Sequence, residues 1–175
     1  KTLEPAEGQY NWGPLDDFIR SRAAKGLPVG LLIVTFINRA AGAKACQVPD
    51  WVFQQAPDAR VSCPGSNGNI WIPKYWHPTY LAKYRNFVTA LANHLKSDPT
   101  LHQPLEFIYM GVGRSGETMP CDTSDNSCLS AAGLTSAGWV TTVNQITQIY
   151  KDAFHTPGFE KTLILLNAPR FTNFC

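Results

Sequence analysis

The sequence predicts an α/β fold that forms part of a (β/α)8 TIM barrel, about strands 2 or 3 to 5 with their helices. Apolar runs of strand length alternate with amphipathic helical segments, and this alternation indicates a parallel sheet with right-handed crossovers. The long irregular segments follow the strands, whereas the connections from helix to strand are short. That asymmetry places the elaborated loops on one face, as in a (β/α)8 barrel.

A doubly wound open sheet is the alternative architecture. No G-x-G-x-x-G sequence follows the first strand, so a dinucleotide-binding fold has no support. Three clear strands in 175 residues are too few for a complete barrel, which needs eight strands and about 200 residues or more. We therefore expect residues 1–175 to be a single partial barrel domain without an internal boundary, completed by sequence outside it.

The first helix and strand are predicted within residues 14–36. Pro14 suits the first turn of a helix because its φ is fixed, and Gly26 is expected to end that helix. Between them, apolar residues recur with the spacing of one helix face. Residues 27–36 then form a continuous apolar run rich in branched side chains, which predicts a buried parallel strand.

The next elements are a long loop, a helix and a second strand. Residues 37–77 are interpreted as one irregular segment, and a loop of that length is usually functional. Pro78 opens a strongly amphipathic helix that ends at Asp98-Pro99. Its apolar residues recur every three or four positions, at Leu81, Tyr84, Val88, Leu91 and Leu95. The apolar run of residues 107–110 follows as a buried strand.

A third helix and a third strand complete the pattern. Ser136 is the expected N-cap of the helix, and its predicted apolar face consists of Trp139, Val143, Ile146, Tyr150 and Phe154. Gly158 marks the break, and residues 162–166 are expected to form another buried strand that ends at Asn167.

The main functional candidate follows the second strand. The apolar run breaks into glycines at Gly111, Gly113 and Gly116 and ends on a single carboxylate, Glu117. A buried strand that stops at a glycine-rich turn and presents one acid is how α/β barrels deliver a catalytic group to their active face. A solvated glutamate on a loop is the alternative, since most glutamates are exposed.

Composition narrows the class of function. The chain is 44% hydrophobic and 16% charged with a net charge of +2, and no basic cluster is visible that would bind nucleic acid. No apolar stretch approaches the ~18 residues of a membrane span. The histidines are scattered without the spacing of metal ligands, so we expect neither a metal site nor another cofactor.

The five cysteines favour disulfides in a secreted or lumenal protein. Cys121 and Cys128 bracket a short polar loop, and Cys46 and Cys63 bracket another irregular stretch, so we expect two loop disulfides. Cys175 is left over and is expected to pair outside this segment. A zinc site is the alternative, but no two cysteines have the close C-x₂₋₄-C spacing.

The segment LEPAEGQYNWGPLDDFI resembles a signature of clan A glycoside hydrolases, especially the β-galactosidase-type and cellulase-like barrels. The positions that match are Leu3, Glu4, Pro5, Gly8, Tyr10, Trp12, Leu15 and Asp16. The LLIVTF strand, the Pro49-Asp50-Trp51 loop and the helical stretch from Tyr84 to Ala92 are also similar to that group. We interpret Glu4 and Asp16 as framework residues.

The resemblance implies a mechanism. In this group the fourth strand ends in the general acid/base glutamate of a retaining hydrolase, and Glu117 occupies that place, whereas the nucleophile follows the seventh strand and lies outside this chain. The family usually has Asn-Glu where this chain has Gly116-Glu117. The missing Asn would contact the sugar 2-hydroxyl, and Arg114 or Ser115 could substitute for it.

The expected function is that of a secreted glycoside hydrolase-like protein that cleaves or binds an O-glycosidic carbohydrate, with no nucleic-acid partner and no membrane span. A catalytically inactive barrel that binds carbohydrate or serves as a structural extracellular protein is the alternative. Tryptophan faces are good platforms for sugar rings, and polar groups after the strands could bind hydroxyls. The substrate-binding candidates are Trp51, Asp50, Arg39, Trp76, Arg114 and Asn167.

Overall fold

A computed structural model describes residues 3–37, 46–64, 68–121 and 126–168. In chain order, its elements are α1 (Gly13–Ala23), β1 (Val29–Leu32), α2 (Asp50–Gln55), a 3₁₀ turn (Pro57–Ala59), β2 (Arg60–Cys63), β3 (Ile70–Pro73), α3 (Pro78–Ser97), α4 (Pro99–His102), β4 (Leu105–Tyr109), α5 (Asn126–Ala131), α6 (Ser136–Phe154) and β5 (Leu163–Leu165).

The fold is mixed α/β with a parallel sheet, as predicted. Strands β1, β4 and β5 lie side by side in chain order, and both pairings are parallel. Helix α3 connects the first pair and α6 connects the second. The two helices pack against each other, and Arg85 on α3 bonds Asp152 on α6 at 2.8 Å. This arrangement is consistent with part of a TIM barrel.

The two faces of the sheet differ in burial. Leu31, Ile108 and Ile164 are register partners, and Ile108 is fully buried. One residue further along, Leu32 pairs with Tyr109 on the opposite face and is 46% exposed. Leu163, on that same face, is 59% exposed. The sheet therefore has one covered apolar face and one apolar face that is open in the described part of the chain.

The helix periodicity is confirmed where it is strong. On α3 the predicted stripe is buried at Tyr84, Val88, Leu91 and Leu95, whereas Leu81 is only half-buried. On α6 the predicted face is buried at Trp139, Ile146, Tyr150 and Phe154. The expected N-cap is wrong by one residue: Thr135, not Ser136, caps α6, and its hydroxyl accepts the Gly138 N–H at 3.0 Å.

The long loops contain more regular structure than the sequence predicted. The segment interpreted as irregular over residues 37–77 includes α2, the 3₁₀ turn and an antiparallel hairpin of β2 and β3. The polar segment between Glu117 and Ser136 includes α5. The strand predicted over residues 27–36 is shorter, because the regular ladder ends at Leu32 and Phe36 makes isolated bridges to Cys46 and Arg114.

The predicted disulfide pairs are wrong. Cys63 at the end of β2 is bonded to Cys128 on α5, with Cα atoms 5.7 Å apart, so neither the Cys46–Cys63 nor the Cys121–Cys128 bridge exists. The reason is spatial, because α5 packs on β2 although the two elements are far apart in the chain. Cys121 is also disulfide-bonded. Cys175 lies outside the described residues.

Candidate active site

Glu117 lies on a tight hairpin that follows β4. The Glu117 N–H donates to the Arg114 carbonyl at 2.9 Å and closes a four-residue turn. Both central residues have left-handed backbones, with φ of 51° at Ser115 and 81° at Gly116. Two positive φ angles in succession are those of a type I′ turn, the geometry that suits a two-residue hairpin connection. Glu117 is therefore the first residue of the second arm of a hairpin, and it does not lie at the end of β4 itself.

Two positions in this hairpin require glycine because neighbouring atoms leave no room for a Cβ. A Cβ at residue 113 would lie 2.2 Å from the Met119 carbonyl oxygen, and one at residue 116 would lie 2.5 Å from Leu32 Cδ1. The arms are joined by the Gly113 N–H to the Glu117 carbonyl at 2.8 Å and the Arg114 N–H to the Met119 carbonyl at 2.7 Å. The glycine-rich sequence thus permits a compact hairpin pressed against β1.

The hairpin is held from both sides by the neighbouring strands. The Ser115 N–H donates to the Phe36 carbonyl beyond β1 at 2.8 Å. The Thr118 N–H donates to the Asn167 carbonyl beyond β5 at 2.9 Å. These contacts place Glu117 at the carboxyl end of the sheet between β1 and β5.

The Glu117 side chain is half-buried. Among the described residues, no side chain makes a hydrogen bond or an ion pair with its carboxylate.

Three of the predicted site residues come together. Arg114 forms a parallel bridge with Phe36, and Glu117 forms one with Asn167. Since Arg114 and Glu117 are the two ends of the same turn, Arg114, Glu117 and Asn167 share the carboxyl edge of the sheet. Arg39 lies outside the described residues.

The predicted tryptophans have other contacts. Trp51 on α2 donates its indole N–H to the Glu4 carbonyl at 3.2 Å, and Lys83 Nζ lies 5.9 Å from its ring centre. Asp50 begins α2. Trp76 packs against the hydrophobic core just before α3. The described contacts do not group these residues with Glu117.

The signature segment has a structural role in the described chain. Glu4 is 6% exposed, and its carboxylate accepts the Gly8 N–H at 3.0 Å. Burial raises the pKa of Glu4, and the Gly8 N–H partly opposes that shift. Trp12 stacks between Tyr10 and His94, with ring centres 4.8 and 5.1 Å away. These contacts fix the segment against α3.

A cavity of about 240 Å³ lies between the signature segment, β1 and α3. Leu31, Thr35, Tyr80 and Leu91 are among its lining residues, and Glu117 is not. The lining includes Leu31 and Leu32 of β1 and the three residues that follow them, and β1 is an edge strand of the described sheet. We interpret the cavity as space beside the free edge of the sheet rather than as the candidate catalytic hollow.

An ion pair that the sequence analysis missed predicts a pH effect on stability. Lys83 bonds Glu7, which also accepts from Gln55 at 2.7 Å. The hydrogen bond from Lys83, followed by that from Gln55, lowers the pKa of Glu7 below its ordinary value of 4.5. Because folding lowers the pKa of Glu7, the ion pair with Lys83 stabilises the folded protein fully when the pH is above the ordinary pKa of 4.5. That stabilisation is lost as the pH falls through the pKa of Glu7 in the folded protein.

We therefore expect Glu7→Gln to lower the thermal midpoint at pH 7 and to have little effect once the pH is below the folded pKa of Glu7. Thermal unfolding at a series of pH values measures this, with Glu106→Gln as the control because Glu106 is an exposed glutamate on β4. An equal loss at neutral and acidic pH would mean that the side chain acts through packing rather than through its charge.

No helix among the described residues has both the length and the apolar character that a membrane crossing requires. In the same part of the chain, histidine, cysteine and acidic side chains form no group of three or more that could hold a metal ion.

Comparison with known proteins identifies one family. The glycoside hydrolase family 42 model, described as beta-galactosidase, matches residues 1–103. The match covers the signature segment, α1, β1 and α3, and it ends before Glu117. No curated protein was found to match the chain.

Proposed function

Since the chain belongs to the beta-galactosidase family of glycoside hydrolases, we propose that it supplies part of the catalytic barrel of a secreted, retaining glycosidase. Glu117 is the general acid/base in this proposal, and the nucleophile comes from sequence outside this chain. The observation that carries the proposal is the hairpin that holds Glu117 between the carboxyl ends of β1 and β5. Active sites of (β/α)8 barrels lie on that face.

The chemistry requires two carboxylates. In a retaining enzyme the general acid protonates the leaving-group oxygen while a second carboxylate, about 5–5.5 Å from the first, attacks the anomeric carbon. Glu117 then acts as a base on the water that hydrolyses the glycosyl-enzyme intermediate. The backbone hydrogen bonds at Ser115 and Thr118 support this role, because they fix the hairpin before substrate arrives.

The open face of the sheet supports a barrel that further strands complete. Leu32 and Leu163 are large apolar residues, and both are more than 40% exposed on that face. Exposed apolar patches mark surfaces that another element covers. In the proposed barrel this face is turned to the interior, and the cavity beside β1 receives the adjacent strand.

The substrate is a carbohydrate in this proposal, and the family description points to β-galactosides. Arg114 and Asn167 are proposed contacts, and their position on the sheet edge that holds Glu117 supports this assignment. Asp50, Trp51, Trp76 and Arg39 remain proposed contacts. The Cys63–Cys128 disulfide is compatible with secretion.

One observation favours a second function, an inactive barrel that binds carbohydrate. The Asn expected before the acid/base from the resemblance is Gly116 here. Its left-handed φ of 81° and its closeness to Leu32 mean that an Asn side chain would not fit without a shift. The 2-hydroxyl contact must then come from Arg114 or Ser115, or that stabilisation is lost.

The test is hydrolysis of aryl β-galactosides by the full-length protein, followed by proton NMR of the first-formed sugar. We expect turnover with the β-anomer appearing first. Release of the α-anomer first would contradict the retaining mechanism. Saturable galactoside binding without turnover would favour the binding protein.

A further inference from the structure

Two tyrosine hydroxyls from different helices bind the backbone N–H and C=O of one residue, Gly111, at the start of the segment that leads to Glu117. The Tyr84 hydroxyl on α3 donates to the Gly111 carbonyl at 2.7 Å. The Gly111 N–H donates to the Tyr150 hydroxyl on α6 at 3.0 Å, and the two hydroxyls are 2.7 Å apart. With Tyr84 donating to the carbonyl, Tyr150 donates to Tyr84, and the three groups form a closed cycle.

This cycle is buried. Tyr150 is fully buried and Tyr84 is 6% exposed. Burial raises the pKa of Tyr150 to about 12 and that of Tyr84 well above its ordinary value. Both phenols therefore keep the protons that the cycle uses at neutral pH.

The position of Gly111 is further fixed by steric contact. A Cβ there would lie 1.8 Å from the Ile33 carbonyl oxygen and 2.8 Å from the Tyr84 hydroxyl. Gly111 is followed by the fully buried Val112 and then by Gly113, whose N–H donates to the Glu117 carbonyl at 2.8 Å. A short, buried path thus joins the two hydroxyls to the Glu117 hairpin.

We propose that Tyr84 and Tyr150 are positioning residues that hold the Glu117 hairpin in place through the backbone N–H and C=O of Gly111. The inference rests on the proposed role of Glu117 as general acid/base. Neither phenol touches substrate. The hydroxyls set where the hairpin leaves the sheet, and a 1 Å displacement of a catalytic group is enough to cost about a hundredfold in rate.

The experiment uses the full-length protein with Tyr84→Phe, Tyr150→Phe and the matched control Tyr80→Phe. Tyr80 lies one turn before Tyr84, stacks on it with ring centres 5.7 Å apart and is equally buried, but its hydroxyl does not bond Gly111. Each variant is assayed on methyl β-galactoside, a poor leaving group that needs the acid, and on 2,4-dinitrophenyl β-galactoside, which does not.

We expect Tyr150→Phe and Tyr84→Phe to lower kcat on methyl β-galactoside about tenfold to a hundredfold, with KM within about twofold. On the dinitrophenyl substrate, we expect kcat/KM of these two variants to change less than about threefold. We expect Tyr80→Phe to keep kcat and kcat/KM near the wild-type values on both substrates. Equal losses on both substrates, or a loss as large in Tyr80→Phe, would overturn the inference, because a packing defect does not distinguish leaving groups.

Glu117→Gln in the same assay separates the inference from the proposed function. If Glu117→Gln keeps the wild-type kcat on methyl β-galactoside, the proposed function fails and the positioning role fails with it. If Glu117→Gln is inactive on methyl β-galactoside while both phenylalanine variants keep the wild-type kcat, only the positioning role is overturned. Folding of every variant is checked by its thermal midpoint.

Discussion

Glu117→Gln is expected to lower kcat for glycosides with poor leaving groups by about 10²- to 10⁴-fold, which is the usual contribution of a general acid/base. Glutamine has nearly the shape of glutamate but cannot transfer the proton. Steady-state kinetics on methyl β-galactoside with the full-length protein measures the loss.

Folding should be unchanged in this variant. In the described part of the chain, the hairpin is held by backbone hydrogen bonds, and the Glu117 carboxylate bonds no side chain. The matched control is Glu106→Gln, which removes an exposed carboxylate from the same strand-and-loop unit near the opposite end of β4. A comparable loss of activity in Glu106→Gln, or a large fall in the thermal midpoint of Glu117→Gln, would contradict a specific role for Glu117.

Removing the disulfide with Cys63→Ala and Cys128→Ala together is expected to lower the free energy of unfolding by about 4 kcal/mol. The bond joins residues 65 positions apart, and a loop of that length is restricted strongly in the unfolded chain by the cross-link. The bond also ties the β2–β3 hairpin to α5. Urea or thermal unfolding under oxidising conditions measures the difference.

A reducing agent supplies the control for this prediction. In reductant, wild type also lacks the Cys63–Cys128 bond, and any effect of reducing other disulfides is shared by both proteins. The stability difference should therefore nearly vanish. A difference that persists unchanged in reductant would show that the loss comes from packing of the buried Cys63 side chain rather than from the cross-link.

The long, strongly patterned elements could be predicted from the sequence. The apolar spacing on α3 and α6 reflects burial against the sheet, and the runs in β1 and β4 reflect strands that pack in a layered fold. The β2–β3 hairpin and α5 could not be predicted, because elements of four and six residues carry too few positions to show a period. The disulfide that joins them depends on their spatial proximity, which sequence spacing does not reveal.

The candidate site was predictable only in outline. Arg114, Glu117 and Asn167 could be placed on one edge because each follows a parallel strand, and the carboxyl ends of parallel strands meet. The turn itself was not recognised, since Ser115 in a left-handed conformation replaces the Asn that usually starts such a turn. Tyr84 and Tyr150 were interpreted as apolar core positions, and periodicity contains no information about where their hydroxyls bond.

The most direct test of Glu117 as the general acid compares galactosides with two different leaving groups in the Glu117→Gln variant. We expect this variant to lose kcat/KM for methyl β-galactoside by at least about a hundredfold and to keep kcat/KM for 2,4-dinitrophenyl β-galactoside near the wild-type value, because that leaving group departs without protonation. If kcat/KM fell by the same factor for both substrates, or for neither, Glu117 would not be the acid that assists the leaving group.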